Sequence, residues 1–186
     1  QGPVHRGATN DAANKQIAEE RKKAKSKVRV YEGFPIRRWD KWLDDVQTHL
    51  FVMPADGSTP PRDLLEGTRL VATPGFRGAG DEGATDSLQP EWAPGGKSII
   101  ITASTNFQAA AYEQPLLSLY EVDLAGGEPR RLTPDSVSCS SAKFTPDGTR
   151  LFFKANAGQG RIYYALDRLH SAAWPWPGRS EPIAPA

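Results

Sequence analysis

At 186 residues the chain is one domain's worth of polypeptide, long enough to bury a core. Its 38% apolar and 24% charged residues are an ordinary globular composition, and 16 prolines with 17 glycines suit a turn-rich β protein. A net charge of +1 gives no electrostatic case for nucleic acid or an anionic membrane, no run of about 18 apolar residues offers a transmembrane helix, and the single Cys139 excludes an internal disulfide.

Residues 1 to 9 are polar and expected to be loose. Asn10 to Lys27 has a helical pattern. Thr9 or Asn10 can cap it, Asp11 lies in the first turn, and Arg21, Lys22, Lys23, Lys25 and Lys27 crowd the C-terminal end, where the helix dipole favours cations. Ala13, Ile17 and Ala24 give only a thin apolar stripe, so the expectation is a solvated inserted helix rather than a nucleic-acid or membrane patch. Val28 to Glu66 reads as strands; within it His49 to Leu64 gives a strand, a Pro-rich turn and a short R-D-L strand. Thr68 to Leu88 is a long Gly-rich connection.

Next comes a stretch that occurs twice. Glu91 to Thr102 reads E-W-A-P-G-G-K-S-I-I-I-T, and Lys143 to Lys154 reads K-F-T-P-D-G-T-R-L-F-F-K, an offset of 52 residues. An aromatic residue ends one strand. Pro94 or Pro146 presets φ at the first corner of a turn, and Gly95-Gly96 or Asp147-Gly148 supplies positions that tolerate φ > 0. A β-branched or aromatic run follows as the next strand. Ile99 to Ile101 and Leu151 to Phe153 are apolar runs rather than strict alternations, as in a sheet covered on both faces. Ser118 to Thr133 follows the first hairpin as an alternating strand, a Gly126-Gly127 turn and a short strand ending in Arg130-Arg131-Leu132; Arg161 to Asp167 follows the second as a strand.

A fixed period of this size with strand chemistry points to a propeller or array, and two inner with two outer strands make a four-stranded blade. The expected fold is all-β: a partial β-propeller of four-stranded antiparallel blades, about two and a half of them, with one inserted N-terminal helix. The expected divisions are a polar tail and inserted helix at 1–27, the outer part of a blade at 28–67, a complete blade with its long leading loop at 68–135, and a further, incomplete blade at 136–186. Propellers close with about 4 to 8 blades. The chain is therefore expected to be part of a longer protein, sitting against the remainder of its parent or self-associating through open blade edges.

Candidate chemistry within the chain is sparse. Ser138-Cys139-Ser140-Ser141 has no G-x-S-x-G and no strand-to-helix elbow, so no nucleophile is assigned there. His5, His49 and His170 are not spaced as metal ligands, and His49, opening a strand, is expected to pack or make a surface hydrogen bond. Asp40, Asp44 and Asp45 lack the Gly and closing Glu of a calcium loop and read as a solvated turn. Gly78-x-Gly80-x-x-Gly83 matches the dinucleotide pattern, but Asp81 and Glu82 would repel a pyrophosphate and no amphipathic helix follows, so a flexible loop is expected. Trp39, Trp42, Trp174 and Trp176 are expected to pack between blades rather than form a ligand surface. No catalytic, metal-binding or cofactor-binding residue is expected.

The blade text W/F-x-P-D/G-G followed by L-Y-E-V-D-L-A-G-G-E-P-R-R-L-T resembles the propeller of the prolyl oligopeptidase family of serine peptidases, in its dipeptidyl aminopeptidase/acylaminoacyl peptidase branch. Val28 to Val52, V-R-V-Y-E-G-F-P-I-R-R-W-D-K-W-L-D-D-V-Q-T-H-L-F-V, is similar to a segment of that branch in which R/H-W-D-x-W precedes H-L-F-V. The resemblance spans residues 28 to 170 and implies an N-terminal propeller that caps an α/β-hydrolase domain and admits only short peptides. The acyl-transfer triad would lie in that domain, outside this chain. The implied partners are the hydrolase domain, the remaining blades and a short peptide substrate, and bacterial family members imply a periplasmic or secreted location. Dipeptidyl peptidases of the family hold the substrate's free amine with two glutamates on a propeller insertion. Tyr112-Glu113-Gln114 offers one, with Gln114 at the second position, which makes Glu113 a substrate-side candidate. TolB-type propellers share the hairpin, so a non-catalytic propeller that binds protein partners is the alternative.

Overall fold

The structure, a computed structural model of the whole chain, describes all residues except 27, 29, 32–36, 39–40, 43–45, 81–85, 111, 157–165 and 184–186. The chain is mostly β, and the pairings between its strands are antiparallel.

The first β unit begins where the sequence suggested loose chain. β1 (Gly2–His5) pairs with β4 (Val46–His49), with Gly2 opposite His49 and His5 opposite Val46. Its composition is poor in strand formers; the pairing is won by tertiary context, with Val4 buried and the Phe51 ring lying 3.5 Å from where a Cβ on Gly2 would be. Between these strands lies the expected helix, α1 (Asp11–Lys23). The Asn10 side chain accepts from the Ala13 amide at 2.8 Å, Asp11 opens the first turn, Arg21, Lys22 and Lys23 close the last, and no residue of the helix is buried. It ends at Lys23, four residues short of the expected Lys27. β2 (Arg37–Arg38) and β3 (Lys41–Trp42) form a short hairpin in the same connection. β5 (Phe51–Val52) then pairs with β6 (Arg62–Asp63).

After a four-residue helix, α2 (Arg69–Ala72), the second unit is built from β7 (Arg77–Gly78), β8 (Glu91–Trp92), β9 (Ser98–Ser104), β10 (Leu117–Asp123) and β11 (Arg130–Arg131). Their order is β11-β10-β9, with β7 and β8 both paired to β9. The third unit runs β12 (Ser138–Phe144), β13 (Arg150–Asn156), β14 (Arg168–Ala173) and β15 (Glu181–Pro182), hydrogen-bonded in that order. The described partner of β13 starts at Arg168; of the strand expected at Arg161 to Asp167, residues 161–165 lie outside the described residues. Glu181–Pro182 supplies a fourth strand that the sequence did not announce.

The two copies of the repeat fold alike. Glu91 and Trp92 face Ile100 and Ile99; Lys143 and Phe144 face Phe152 and Leu151. In each turn one amide, of Ala93 or Thr145, closes on the carbonyl of Ser98 or Arg150 at 3.0 Å. Gly96 and Gly148 take φ of 66° and 70°, the conformation the turn demands of them. Just before each hairpin one non-glycine residue also adopts positive φ: Gln89 at 47° and Ser141 at 58°. The Ser141 amide donates to Gln89 Oε1 at 2.9 Å, so the two matching positions are tied together. The outer strands repeat three times. The Leu64 amide donates to Leu50 O, Leu132 to Leu119 O and Ile183 to Leu169 O, each at 2.8 Å.

Packing explains the apolar run of β9. Ile99, Ile101 and Ala103 join Leu50, Leu64 and Leu65 of the first unit, while Ile100 joins Leu151, Phe153 and Ala155 of the third. All seven residues of β9 are buried. The middle sheet is thus covered on both faces, as its unbroken hydrophobicity requires. The same expectation for Leu151 to Phe153 does not hold: among the described residues β13 alternates, with Leu151, Phe153 and Ala155 buried, Phe152 half-buried, and Arg150 and Lys154 exposed.

Candidate functional site

The strand ends joined by long connections lie at one end of the stack, at the register pairs His5–Val46, Ser104–Leu117 and Ala155–Arg168, whereas the opposite end carries the tight turns. Direct contacts join these loop ends. Arg77 pairs with Asp86 at 3.1 Å, donates to Val46 O at 3.4 Å and lies 5.8 Å from the centre of the Phe107 ring. The Leu117 amide donates to Ser138 Oγ at 3.1 Å, linking the second unit to the third.

The connection at residues 105–116 is tied down by several hydrogen bonds. It holds a single 3-10 turn, Phe107–Ala109, and Asn106 organises it. Asn106 Oδ1 accepts from the Leu116 amide at 2.9 Å and from Ser104 Oγ at 3.0 Å, closing the loop at its neck. The Phe107 amide donates to Gly75 O at 3.1 Å. A Cβ on Gly75 would meet Thr105 O at 2.5 Å and the Phe107 nitrogen at 2.7 Å, so only glycine lets the two backbones approach. The loop is therefore seated on the chain that leads into β7.

Glu113 stands at the tip of this loop. Its amide donates to Ala109 O at 2.9 Å, its side chain is exposed, and the neighbouring Tyr112 is 71% exposed. Gln114 is exposed beside it. An exposed carboxylate on an anchored loop can hold a cation such as an amine through charge-assisted hydrogen bonds.

The serine cluster is structural. Ser138 Oγ accepts the Leu117 amide, Ser141 forms the bulge, and no described histidine bonds to any of its serines. Cys139 is buried, and burial pushes its thiol up to about 11, outweighing the Thr133 hydrogen bond and the Arg131 charge that pull it down. Such a thiol is neither a nucleophile nor a metal ligand at neutral pH.

The histidines lie far apart in role. His49 is buried, and its Nδ1 sits 2.6 Å from Asp63 Oδ2, while Asp63 Oδ1 accepts the Leu65 amide at 2.8 Å. Of the two roles expected for His49, packing or a surface hydrogen bond, the structure shows the packed one, with the hydrogen bond made inside to Asp63. His170 Nδ1 lies 3.3 Å from Ser180 Oγ, and burial, then the Arg168 charge, lowers its pKa. Among the described residues no three His, Cys, Asp or Glu side chains gather as a metal site. Asp40, Asp44 and Asp45 lie outside the described residues.

Trp174 and Trp176 pack on the third unit, with Trp174 edge-on to Phe144 at 5.0 Å and Trp176 5.9 Å from Phe153. Trp42 is half exposed, 6.1 Å from the Tyr31 ring and 5.9 Å from the Arg37 guanidinium carbon; Trp39 lies outside the described residues. Gly78 belongs to a strand, where a Cβ would meet Ser87 O at 2.6 Å; the rest of its glycine pattern runs into residues 81–85, which are not described.

Sequence reasoning did not find Arg77, Asn106 or Gly75. The one local signal was Asn106 placed two residues after a strand end, where its short amide can cap a returning chain. It also missed a cavity of about 750 Å³ between the start of α1 and the β5–β6 hairpin. Comparison with known proteins assigns nothing further: no protein-family model matches the chain, and no curated protein matches it.

Proposed function

We propose that the chain is part of the N-terminal β-propeller of a serine peptidase of the prolyl oligopeptidase family, in the dipeptidyl aminopeptidase/acylaminoacyl peptidase branch. Its work is to gate short peptides into an α/β-hydrolase domain that these 186 residues do not contain. In this reading the three stacked units are blades, and the loop end turns toward the hydrolase cavity. The gate contributes size selection, exclusion of water and substrate contacts, with Glu113 at the tip of the anchored loop; the acyl transfer belongs to the other domain.

The observation that carries the reading is one side-chain pair seen in three settings. Leu50 and Leu64 are each 3% exposed, Leu119 and Leu132 are 0% and 6% exposed, and their counterparts Leu169 and Ile183 are 49% and 38% exposed. The first two pairs are covered by the next β unit; a further blade over the third is what ring closure asks for. The peptidase assignment is drawn from the hairpin text and the R-R-W-D-K-W segment, because a fold alone does not select a chemistry. The remaining blades and the hydrolase domain are the proposed partners, and the periplasm or cell exterior the proposed location.

The coding sequence downstream of Ala186 tests this. It should carry G-x-S-x-G, then Asp, then His, and the protein spanning both parts should cleave aminoacyl or acylaminoacyl chromogenic substrates while the 186-residue chain alone does not. More β repeats followed by a stop, with no triad, would overturn the peptidase reading and leave a TolB-type propeller that binds protein partners.

A further inference from the structure

Arg77 stands where the 105–116 loop leaves the sheet, because β7 sets it opposite Ser104, the last residue of β9. One guanidinium there reaches three connections. Its Nη1 lies 3.1 Å from Asp86 Oδ2, in the connection that follows β7, and donates to the carbonyl of Val46, where the connection that follows β1 rejoins the sheet. Its carbon lies 5.8 Å from the centre of the Phe107 ring, inside the loop itself. The Arg77 and Asp86 side chains are only 19% and 21% exposed, so solvent screens them less than it screens an ion pair at the surface. Asp86 is itself fixed: its carbonyl accepts the Thr48 hydroxyl at 3.1 Å, and Ala79 and Ser87 bond backbone to backbone across the neck of its connection.

Phe107 passes the placement on. Its carbonyl accepts the Ala110 amide at 3.0 Å, and Ala109 O accepts the amides of Tyr112 and Glu113 at 2.8 and 2.9 Å, so the turn that starts at Phe107 runs to the tip of the loop. A guanidinium can offer N–H groups to a carboxylate and a carbonyl and still lie over a ring; a lysine ammonium is a point charge without that planar fork.

We propose that Arg77 is the positioning residue of the substrate gate: through the Phe107 ring it sets where the loop tip, and with it Glu113, stands. Arg77 itself is spent on Asp86, Val46 and Phe107 and acts through them. The part of the inference that concerns substrate rests on the peptidase reading; the anchoring of the loop does not.

Amide hydrogen exchange on the 186-residue chain provides the first test. Phe107→Leu keeps an apolar side chain but removes the ring, and should speed exchange at Tyr112, Glu113 and Leu116 by roughly three- to tenfold. Arg77→Met should do the same or more, and Phe107→Tyr, which keeps the ring, should restore the wild-type rates. The amides of Gly96 and Gly148, bonded in the turns at the opposite end, should not change. In the proposed full-length peptidase, Phe107→Leu should raise KM for substrates with a free N-terminus by a similar factor and leave kcat and blocked substrates alone. Loop amides indifferent to both Phe107→Leu and Arg77→Met would overturn the proposal. So would equal acceleration at Gly96 and Gly148, which would mean that these residues only stabilise the fold; if Arg77→Met does not fold, Phe107→Leu decides. A loosened loop with an unchanged KM for free-amine substrates would remove Arg77 from the gate. Absence of the downstream triad fails the peptidase reading instead, and is read from the coding sequence rather than from exchange.

Discussion

Glu91 and Lys143 stand at the same position of two copies of one repeat, and their side chains meet across the seam between the copies, Oε2 lying 2.5 Å from Nζ. The other carboxylate oxygen accepts the Phe144 amide at 3.4 Å. Contact between matching positions means that the stack advances by one unit per period. The Lys143 side chain is 72% exposed, so solvent screens the pair. A double-mutant cycle with Glu91→Gln and Lys143→Met should give a coupling energy of only about 0.2–1 kcal/mol in urea unfolding. A much larger value would mean that the seam depends on this ion pair rather than on its apolar residues.

Gly96 and Gly148 separate backbone strain from contact between units. Both have positive φ, but a Cβ on Gly96 meets nothing within 4 Å, whereas on Gly148 it lies 2.9 Å from Pro94 Cβ and Cγ in the neighbouring unit. Gly96→Ala should cost roughly 1–2 kcal/mol for the left-handed conformation alone. Gly148→Ala should cost more, since the Pro94 ring must also give way. Chemical unfolding of the two variants measures the difference, and equal losses would show that the seam yields freely.

Asp147 gives the second turn a pH dependence. Hydrogen bonds from the Thr145 hydroxyl, the Thr149 amide and the Thr149 hydroxyl hold its carboxyl down at about 2, from an ordinary 3.8. A folded-state value below the unfolded one contributes stability that is complete above 3.8 and lost as pH falls toward 2. Asp147→Asn should therefore narrow the gap in Tm from the wild type as pH drops through that window. A gap constant across it would sink the assignment.

Cys139 reports on opening of the seam between the second and third units. Its thiol is buried and held up to about 11. At pH 8 a disulfide reagent should label it slowly in native buffer and faster as denaturant is added, in step with unfolding. Immediate labelling of the native chain would contradict its place in the core.

Glu113 should be silent for stability and audible for substrate. Its side chain is exposed, so Glu113→Ala should leave Tm within experimental error. In the proposed full-length peptidase it should raise KM for substrates with a free N-terminus and spare those with a blocked one. An unchanged KM for both would remove Glu113 from the substrate path.

The repeat was readable because its turn chemistry is local: aromatic, Pro, then a residue pair free to take positive φ, all within a few positions of Trp92 and Phe144. The double coverage of β9 was readable for the same reason, in Ile99 to Ile101. What failed to show was non-local. Gly2–His5 becomes a strand because β4 offers it an edge, against its own propensities. β14, Arg168–Ala173, has a weak strand composition; its register with β13, which buries Ser171 and Ala172, makes it a strand. The His49–Asp63 pair depends on the β5–β6 register across a Pro-rich turn. The seat of the loop at 105–116 depends on Gly75, some thirty residues earlier in the chain.

The burial of all seven β9 residues makes the order of coming apart directional. Each outer unit rests on a single seam, while the central one is clamped by two, so the flanks fray while the middle holds. Trimming Ile100 loosens only the grip on the third unit, and trimming Ile101 only that on the first. One strand thus sets two mechanical couplings, each with its own side chains. Amide protons of Ile99 to Thr102 should be the last to exchange, however the outer faces are occupied.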